Sequence, residues 1–519
     1  MSRSRFLPSL HGPLALLLVL WLRDRTLPAQ PPPDVAAGIG LLDAIRLLLE
    51  NDPNIALAQS QLVSAQGVQR SAAGRFDPLL ANQLTATDST TPLGEVDSGN
   101  RRTVQDTLSL TQHLRSGLSL TPQLSLLRVA DTTLGPGVVS VGTVAFGIRQ
   151  PLLRGRGREV NAAAERAAAR EVEARRLDLV QTTSQRIMTT VAQYWTVAAA
   201  RRNLDVLGAS EGSSRQLLEE TRKLVAVDVT PAAELVQVEA NLAAKESSRI
   251  GGERSLFQAR QDLGKDLGLP PERIAALPLP AAPLPSLAPE SLPAPAATAR
   301  FVQTAIARRA DVRAALRRLS ESDVLLRAAE NELEPQLDLL VSPGYSGLTS
   351  GTSPVNFFGA AWRHVPGAIL SFGFSLSWPI GNHAAQGDVI QAQAAREQSR
   401  LAVDVLVKGI GADVPSALDA VIQSARQLER ATGSVRLFEQ AVANEGKKLR
   451  AGTSTLIDVI TQRDRLTAAR QDEISSQLTL ALALVRLRFE TGTLLAENGE
   501  WNELQGDSIT TVPRLEAPP

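Results

Sequence analysis

The pattern of apolar and polar positions changes several times along the chain and predicts alternating helical and strand segments. From Leu41 to about Ser71 apolar residues recur at helical spacing, with an interruption at Asn51-Asp52-Pro53. Pro53 fits the first turn of a new helix, capped by Asp52 or Asn51. The pattern then shifts to a period of two, which predicts strands. These strands cover residues 79–87, 103–114, 117–128 and 139–150.

A very long helix without proline is predicted to follow Gly157 and to end near Leu224. Its seam, from Leu177 to Ala198, alternates steps of three and four residues, as a coiled coil requires. At about 1.5 Å per residue, about 65 residues span on the order of 100 Å. This is far longer than a helix of an ordinary globular domain.

A second helix is predicted from about Pro231 to Leu267, with Thr230 as its N-cap. Residues 269–300 are rich in proline, alanine and leucine and predict an extended linker.

The second half repeats this order. Asp311–Pro335 aligns without a gap on Asn54–Pro78, and Asp458 lies 224 positions after Glu234, the same offset that relates Gly492 to Gly268. Strands are predicted over residues 336–348 and 370–380, and helices over residues 384–450 and 456–490. We expect a kink or break in the first of these helices because Gly409, Gly411 and Pro415 interrupt it.

One of the second-half strands has an unusual alternation. Large apolar residues lie on one face and small or polar residues on the other: Phe372, Phe374, Leu376, Trp378 and Ile380 against Gly373, Ser375, Ser377 and Pro379. A lipid-facing barrel strand has this pattern, and so has a half-buried strand of a soluble sheet.

Composition excludes several kinds of chemistry. The chain has 519 residues, a formal net charge of +0 and no cysteine, so disulfides, thiolate metal sites and a cysteine nucleophile are excluded. Its four histidines are isolated in sequence, and none is paired at a helical metal-ligand spacing. We predict no enzyme activity, no cofactor and no nucleic-acid partner.

Residues 1–30 are typical of a secretory signal, since Arg3 and Arg5 precede an apolar run from Leu14 to Leu22. The run is too short to span a bilayer. The predicted organisation is a signal peptide over 1–30, a first repeat over 31–268, a Pro-rich linker over 269–300, a second repeat over 301–492 and a tail over 493–519.

An exported chain with barrel-like strands belongs in or near an outer membrane, where only closed barrels satisfy every backbone group. One copy offers roughly four to six strands, whereas a closed membrane barrel needs about eight or more. Several copies must therefore share one barrel, with the long helices projecting into the periplasm.

Three motifs, in their order along the two repeats, indicate a family. They are NDPN at 51–54 continuing to Pro78, RQPLLRG at 149–155 and RAGTSTLIDVI at 450–460. With them the chain resembles the TolC-like outer-membrane efflux proteins. The resemblance implies a mainly α fold with membrane β structure, in which duplicated long-helix hairpins form a trimeric tunnel on a shared twelve-stranded barrel. It also implies about four barrel strands per protomer, fewer than the strand-like segments of this sequence. Segments 79–87 and 103–128 then form either long bent strands or an extra hairpin outside the barrel.

The resemblance implies that the helix-to-helix turns form the tunnel entrance and that acidic residues ring a pore constriction. The matching positions are Asp458, Glu234 and Thr461, where Thr461 stands in place of a second acid. A ring of Asp458 would attract cations and repel anions. In the alternative interpretation, Asp458 and Glu234 only stabilise helix N-termini through the macrodipole, by about 0.3 to 1 kcal/mol each.

The resemblance also implies that the turns dock a periplasmic adaptor. The candidate positions are Val227, Asp228 and Val229 in the first turn and Ala451, Gly452 and Thr453 in the second. The expected function is a passive outer-membrane exit duct that acts as a homotrimer with an adaptor and an inner-membrane pump, in contact with outer-membrane lipid. The alternative is a non-conducting periplasmic coiled-coil scaffold.

Overall fold

The computed structural model describes residues 38–92, 98–131, 137–226, 231–287, 297–362, 367–495 and 509–513. The helices are α1 (Leu41–Asn51), α2 (Pro53–Ala73), α3 (Arg158–Asn161), α4 (Ala163–Ala226), α5 (Ala232–Asp266), α6 (Pro271–Ala275), α7 (Thr298–Arg308), α8 (Ala310–Asn331), α9 (Pro354–Gly359), α10 (His383–Arg450) and α11 (Leu456–Glu490). The strands are β1 (Leu79–Pro92), β2 (Ser98–His113), β3 (Ser119–Asp131), β4 (Val138–Pro151), β5 (Gln336–Ser350) and β6 (Gly367–Ser377).

All six strands form one antiparallel sheet in the order β1-β2-β3-β4-β5-β6. The first four come from the first repeat and the last two from the second. The strand predictions are confirmed in position, although β1, β2 and β3 run several residues further than the sequence pattern indicates. β6 ends at Ser377, so Trp378 and Ile380, which were predicted on its apolar face, follow the strand. The sheet has two strands more than the four per protomer that the resemblance implies.

The pairing register gives the sheet two different faces. One row across all six strands is Asn82, Leu108, Leu124, Val144, Tyr345 and Ala368, and the adjacent row is Gln83, Thr107, Ser125, Thr143, Ser346 and Gly367. We call the first the apolar face, which also carries Phe372 and Phe374, and the second the polar face. In a single chain Phe372 and Phe374 are 67% and 61% exposed, so the apolar face has no cover over these residues.

The long helices lead away from the sheet. α4 has 64 residues and α10 has 68, which confirms the long helix predicted for each half. α4 packs against α2, α5, α8 and α11, and α10 packs against α7, α8 and α11. At about 1.5 Å per residue, each long helix spans roughly 100 Å. The C-terminal ends of α4 and α10 therefore lie at the far end of the described structure from the sheet.

The main core lies about half-way along α4. Tyr194 and Trp195 are fully buried there, among apolar residues of α1, α5 and α11 and of the segment that follows α6. The hydroxyl of Tyr194 donates to Ile39 O at 2.9 Å and accepts from Ala282 N at 3.2 Å. One side chain thereby joins the start of the described chain to the inter-repeat segment.

Of the kink or break predicted in α10, the break is wrong, because the helix continues across Pro415 from His383 to Arg450, and the kink stays a prediction. The residues around the proline explain this. Val414, Ala417, Leu418 and Val421 are buried in a second core with α7 and α11. Tertiary packing holds the backbone helical where proline removes a hydrogen bond.

Two local predictions need correction. Pro231 occupies the N-cap position of α5 rather than its first turn, and Thr230, the predicted cap, lies outside the described residues. Residues 271–275 form α6 instead of extended chain, and Leu277 and Leu284 of the same segment are buried in the main core. Apolar residues between the prolines give this segment a packing surface that its composition does not reveal.

Among the helices of the described residues, none combines the length and the apolar stretch that crossing a bilayer requires.

Candidate gate at the helical tip

The tip is the end of the helical hairpins farthest from the sheet, where α4 leads to α5 and α10 leads to α11. The turn between α4 and α5 includes residues 227–230, so the predicted docking residues Val227, Asp228 and Val229 lie outside the described residues. The turn between α10 and α11 is described completely. Its predicted docking residues Ala451, Gly452 and Thr453 are all exposed.

Gly452 ends α10 in the left-handed region, with φ of 72°. Its N–H donates to Leu449 O at 3.0 Å, and the N–H of Thr453 donates to Lys448 O at 3.0 Å. These two bonds are the Schellman pattern, which satisfies the last carbonyls of a helix. The turn is therefore fixed by backbone geometry that favours glycine at this position.

α11 begins with a capping box. The hydroxyl of Thr455 accepts from the N–H of Asp458 at 3.2 Å, and Asp458 Oδ2 accepts from the N–H of Thr455 at 3.2 Å. The Thr455 hydroxyl also lies 2.6 Å from that carboxylate oxygen. Hydrogen bonds from the hydroxyl and backbone of Thr455 hold the pKa of Asp458 below its usual range. Asp458 is thus a charged, exposed residue that also holds the helix start in place.

Glu234 occupies the same helical position in the first repeat, since it is the third residue of α5 after the N-cap, as Asp458 is in α11. Its cap residue is Pro231, which makes no side-chain cap hydrogen bond. Asp458 is therefore held by the capping box, while Glu234 is half-buried and lacks this particular restraint.

An apolar cluster brings the two hairpins together at the tip. Leu456, the first residue of α11, is buried against Leu217 and Leu218 of α4 and Val238 of α5. Just behind it, Lys245 of α5 forms an ion pair with Asp464 of α11 at 2.6 Å. The structure therefore places the N-termini of α5 and α11, with their acidic residues, in one tip.

Thr461 lies one turn after Asp458 and is half-buried. Its hydroxyl donates to Ile457 O at 2.8 Å, so it is used within its own helix. At the end of α10, Glu445 accepts a hydrogen bond from Ser454 and forms an ion pair with Lys448 at 3.0 Å. Both contacts lower the pKa of Glu445. The charges at this turn are therefore of both signs, and Asp458 is not a lone acid.

The capping box and the Ser454–Glu445 bond are the parts of the site that the sequence interpretation missed. The capping box could have been predicted, because Thr455-Leu456-Ile457-Asp458 fits the capping-box spacing. The Ser454–Glu445 bond joins residues across a turn and has no comparable local sequence pattern. Among the described residues, no group of three or more His, Cys, Asp or Glu side chains is arranged to hold a metal ion.

Comparison with known proteins agrees with this geometry. Residues 301–493 match the family profile described as "Outer membrane efflux protein". The matched region covers α7 to α11 and includes the turn between α10 and α11. No curated protein matches the chain significantly.

Solved structures match over most of the chain. The outer membrane protein VceC of Vibrio cholerae is 18% identical with a TM-score of 0.62, and the match covers 87% of this chain and 96% of that one. The CmeC outer membrane channel of Campylobacter jejuni is 16% identical with a TM-score of 0.64, covering 87% and 85%. The MtrE outer membrane channel of Neisseria gonorrhoeae, in its open state, is 17% identical with a TM-score of 0.60, covering 87% and 88%.

Proposed function

Since residues 301–493 belong to the outer membrane efflux protein family and 87% to 90% of the chain has the fold of TolC-like outer-membrane channels, we propose that this protein is a passive exit duct of the outer membrane. It serves a tripartite efflux or type I secretion system. The observation that carries this proposal is the joint placement of two long-helix hairpins in one tip, opposite a sheet with an apolar and a polar face. The family is one of channels rather than enzymes.

The sheet lies in the outer membrane and the helices lie in the periplasm. The exposed aromatic and aliphatic residues of β6 suit contact with lipid. On the lipid face, a lysine or arginine at the bilayer midplane would destabilise the barrel by about 2 to 4 kcal/mol, whereas an apolar side chain carries no such penalty. Trp378, after the inner end of β6, and Trp362, beyond the outer end of β5, are 70% and 71% exposed. Such positions suit the aromatic girdles at the two membrane interfaces.

The duct is a homotrimer. A single chain leaves large apolar side chains exposed along three of its helices, at positions that a neighbouring helix can cover. These residues share exposed fractions above one half: Leu57, Val63 and Val68 of α2, Val236, Ile250 and Phe257 of α5, and Ile390, Val405 and Leu437 of α10. Neighbouring copies cover them when the helices form a closed tunnel.

The gate is the tip. Three copies place three Asp458 carboxylates at the tunnel mouth. Glu234 is the second acidic residue proposed for the constriction, and Thr461 contributes no charge. The exposed turn residues Ala451, Gly452 and Thr453 dock the hairpins of a periplasmic adaptor, through which an inner-membrane pump drives transport. The fixed Schellman turn supports this role, since a rigid exposed turn loses little conformational entropy on binding.

The test of the gate separates charge from helix capping. In planar bilayers, Asp458→Asn should reduce cation selectivity, because it removes the charge and keeps an oxygen that accepts hydrogen bonds. Thr455→Ala is the matched control, since it weakens the capping box and leaves the carboxylate. Equal selectivity of Asp458→Asn and the unmodified protein would remove Asp458 from the mouth.

The duct itself is tested by cell fractionation and single-channel recording. We expect a detergent-requiring trimer in the outer membrane that conducts poorly until its tip opens. A non-conducting scaffold would instead leave with the soluble periplasm, and the exposed apolar face of β6 argues against that outcome.

A further inference from the structure

We propose that three copies close a barrel of eighteen strands, in which β1 of one copy pairs with β6 of the next. The partner of each sheet edge is thus a second copy of this chain. The inference rests on the trimer proposed above and adds to it the edges that meet and the width of the barrel. It departs from the twelve strands that resemblance alone implies.

The first step is that β3 has no free edge for a neighbouring copy. β4 pairs with one side of β3 from Ser119 to Ala130, and β2 pairs with the other side from Ser119 to Asp131. A backbone edge that is already hydrogen-bonded cannot accept another strand. A twelve-stranded barrel would need β3 or an equivalent inner strand as an edge. The strands at the ends of the sheet are β1 and β6.

The second step is direction. β1 starts beside the helices, directly after α2, and β6 ends beside them, directly before α10. The two edge strands run in opposite directions, so β1 of one copy and β6 of the next meet as an antiparallel pair. An even number of strands in each copy keeps the alternation intact around a closed barrel.

The third step is that β1 and β2 continue the two faces of the sheet. Leu80 and Leu84 of β1 are 66% and 67% exposed on the apolar face, close to the values for Phe372 and Phe374 of β6. Gln83 and Thr107 continue the polar row. The apolar face also carries Asn82 and Asp106, whose side chains form a hydrogen bond of 2.8 Å. This pairing satisfies part of their polarity where they lie among apolar neighbours.

The hairpin formed by β1 and β2 is attached to the rest of the sheet near its outer end. There, Phe357 of α9 and the following Ala361 pack on the apolar face in one cluster with Val104 of β2 and Leu126 of β3. At the inner end, Gln112 of β2 donates to the carbonyl oxygen of Phe76, just before β1, at 2.6 Å. This second contact ties the two strands of the hairpin to each other.

Arg115, in the turn between β2 and β3, makes the inner attachment stronger. It forms two hydrogen bonds of 2.7 Å with Glu165 of α4 and stacks 4.7 Å from the centre of the Phe76 ring. A bidentate arginine–carboxylate pair fixes orientation as well as distance. The hairpin is thereby tied to the long helix that begins beneath it.

The strand number sets the width. With strands about 4.8 Å apart and tilted by about 40°, eighteen strands give a backbone diameter of about 36 Å, whereas twelve give about 24 Å. Barrels of sixteen to eighteen strands leave an aqueous channel. The membrane end of this duct is therefore a wide pore, and selection among substrates takes place at the tip.

Disulfide trapping tests which strands meet, and the chain has no cysteine of its own. Thr85→Cys in β1 is combined in turn with cysteine at each polar-face position of β6: Ile369, Ser371, Gly373 and Ser375. Ser125→Cys in β3 is the matched control, because Thr85 and Ser125 are both the seventh residue of a strand that starts at the inner end and both belong to the polar face. The readout is covalent trimer after mild oxidation in outer membranes.

We expect covalent trimer from at least one Thr85 combination and from none of the Ser125 combinations. Covalent trimer from Ser125 would overturn the eighteen-stranded barrel and leave the trimeric duct intact. A trimer in detergent, measured by sedimentation, without covalent linkage in either series would likewise overturn it. Absence of any trimer by sedimentation would overturn the proposed duct as well, so the two failures are distinguishable.

Discussion

At the residue scale, the turn between α10 and α11 is determined by one glycine. A Cβ built on Gly452 meets nothing within 4 Å, and its φ is +72°. The penalty for Gly452→Ala is therefore conformational, about 1 to 2 kcal/mol. We expect faster backbone hydrogen exchange in residues 445–456 of this variant.

Gly446→Ala is the control for that experiment. Gly446 lies inside α10, and its Cβ would also meet nothing within 4 Å. Alanine in a helix interior is favoured over glycine by about 0.5 to 1 kcal/mol, so exchange should slow. If the two variants change exchange in the same direction, the left-handed turn does not determine the stability of the tip.

Asp458 gives a pH dependence whose sign follows from its lowered pKa. Its charged form is stabilised in the folded protein, so the capping interaction is complete above the unfolded pKa of about 3.9 and is lost as the pH falls through the lower folded pKa. The capping of α11 should therefore persist to below about pH 4. Hydrogen exchange in the first turn of α11, measured against pH, checks this. Asp458→Asn should show no such pH dependence, and loss of protection with a midpoint above about pH 5 would contradict the role of Asp458 in the cap.

At the element scale, a buried ionic network joins three helical segments. Arg186 of α4 pairs at 2.6 Å with Asp52, the N-cap of α2, and at 2.6 Å with Asp266 at the end of α5. The side chain of Asp52 is 0% exposed. Arg186→Met leaves buried carboxylates without their partner, and we expect a loss of about 3 to 5 kcal/mol in unfolding free energy.

Arg396→Met is the matched control in chemical denaturation of the trimer. Arg396 pairs with Asp323 at 2.6 Å, but both side chains are more than 40% exposed. Surface pairs contribute about 0 to 1 kcal/mol, so this change should be small. Equal effects of the two substitutions would mean that burial does not set the strength of the Arg186 network.

Element boundaries show what could be read from the sequence. α11 was predicted from Leu456 to Glu490 and has those ends, because a cap residue before it and a glycine after it are local signals. The break at Pro415 was wrong because its outcome depends on core packing with residues distant in sequence. Similarly, the strands of the first half were recognised, but their membership in one sheet depends on pairing that periodicity does not encode. At the tip, the sequence selected Asp458 and left its contacts with Thr455 unrecognised.

At the scale of the whole molecule, the two faces of the sheet should respond differently to the same charge. Phe372 lies on the apolar face and is 67% exposed, so Phe372→Lys places an ammonium against lipid at a cost of about 2 to 4 kcal/mol. Ser371→Lys, one residue away on the polar face, adds the same side chain to the lumen. We expect poor membrane assembly for the first and normal assembly for the second.

Heat-modifiable migration of membrane-extracted trimer measures this difference. Normal assembly of Phe372→Lys together with failure of Ser371→Lys would reverse the assignment of the faces.

The unequal contribution of the repeats to the sheet, four strands from the first and two from the second, has an evolutionary consequence. A hairpin begins and ends on the same side of a membrane, so gaining one changes the direction of no later segment. A duplicated ancestor can therefore acquire a hairpin in one repeat while every helix keeps its length and partners. In the eighteen-stranded barrel proposed above, the number of hairpins thus sets the width of the pore, while the lengths of the helices set its reach separately.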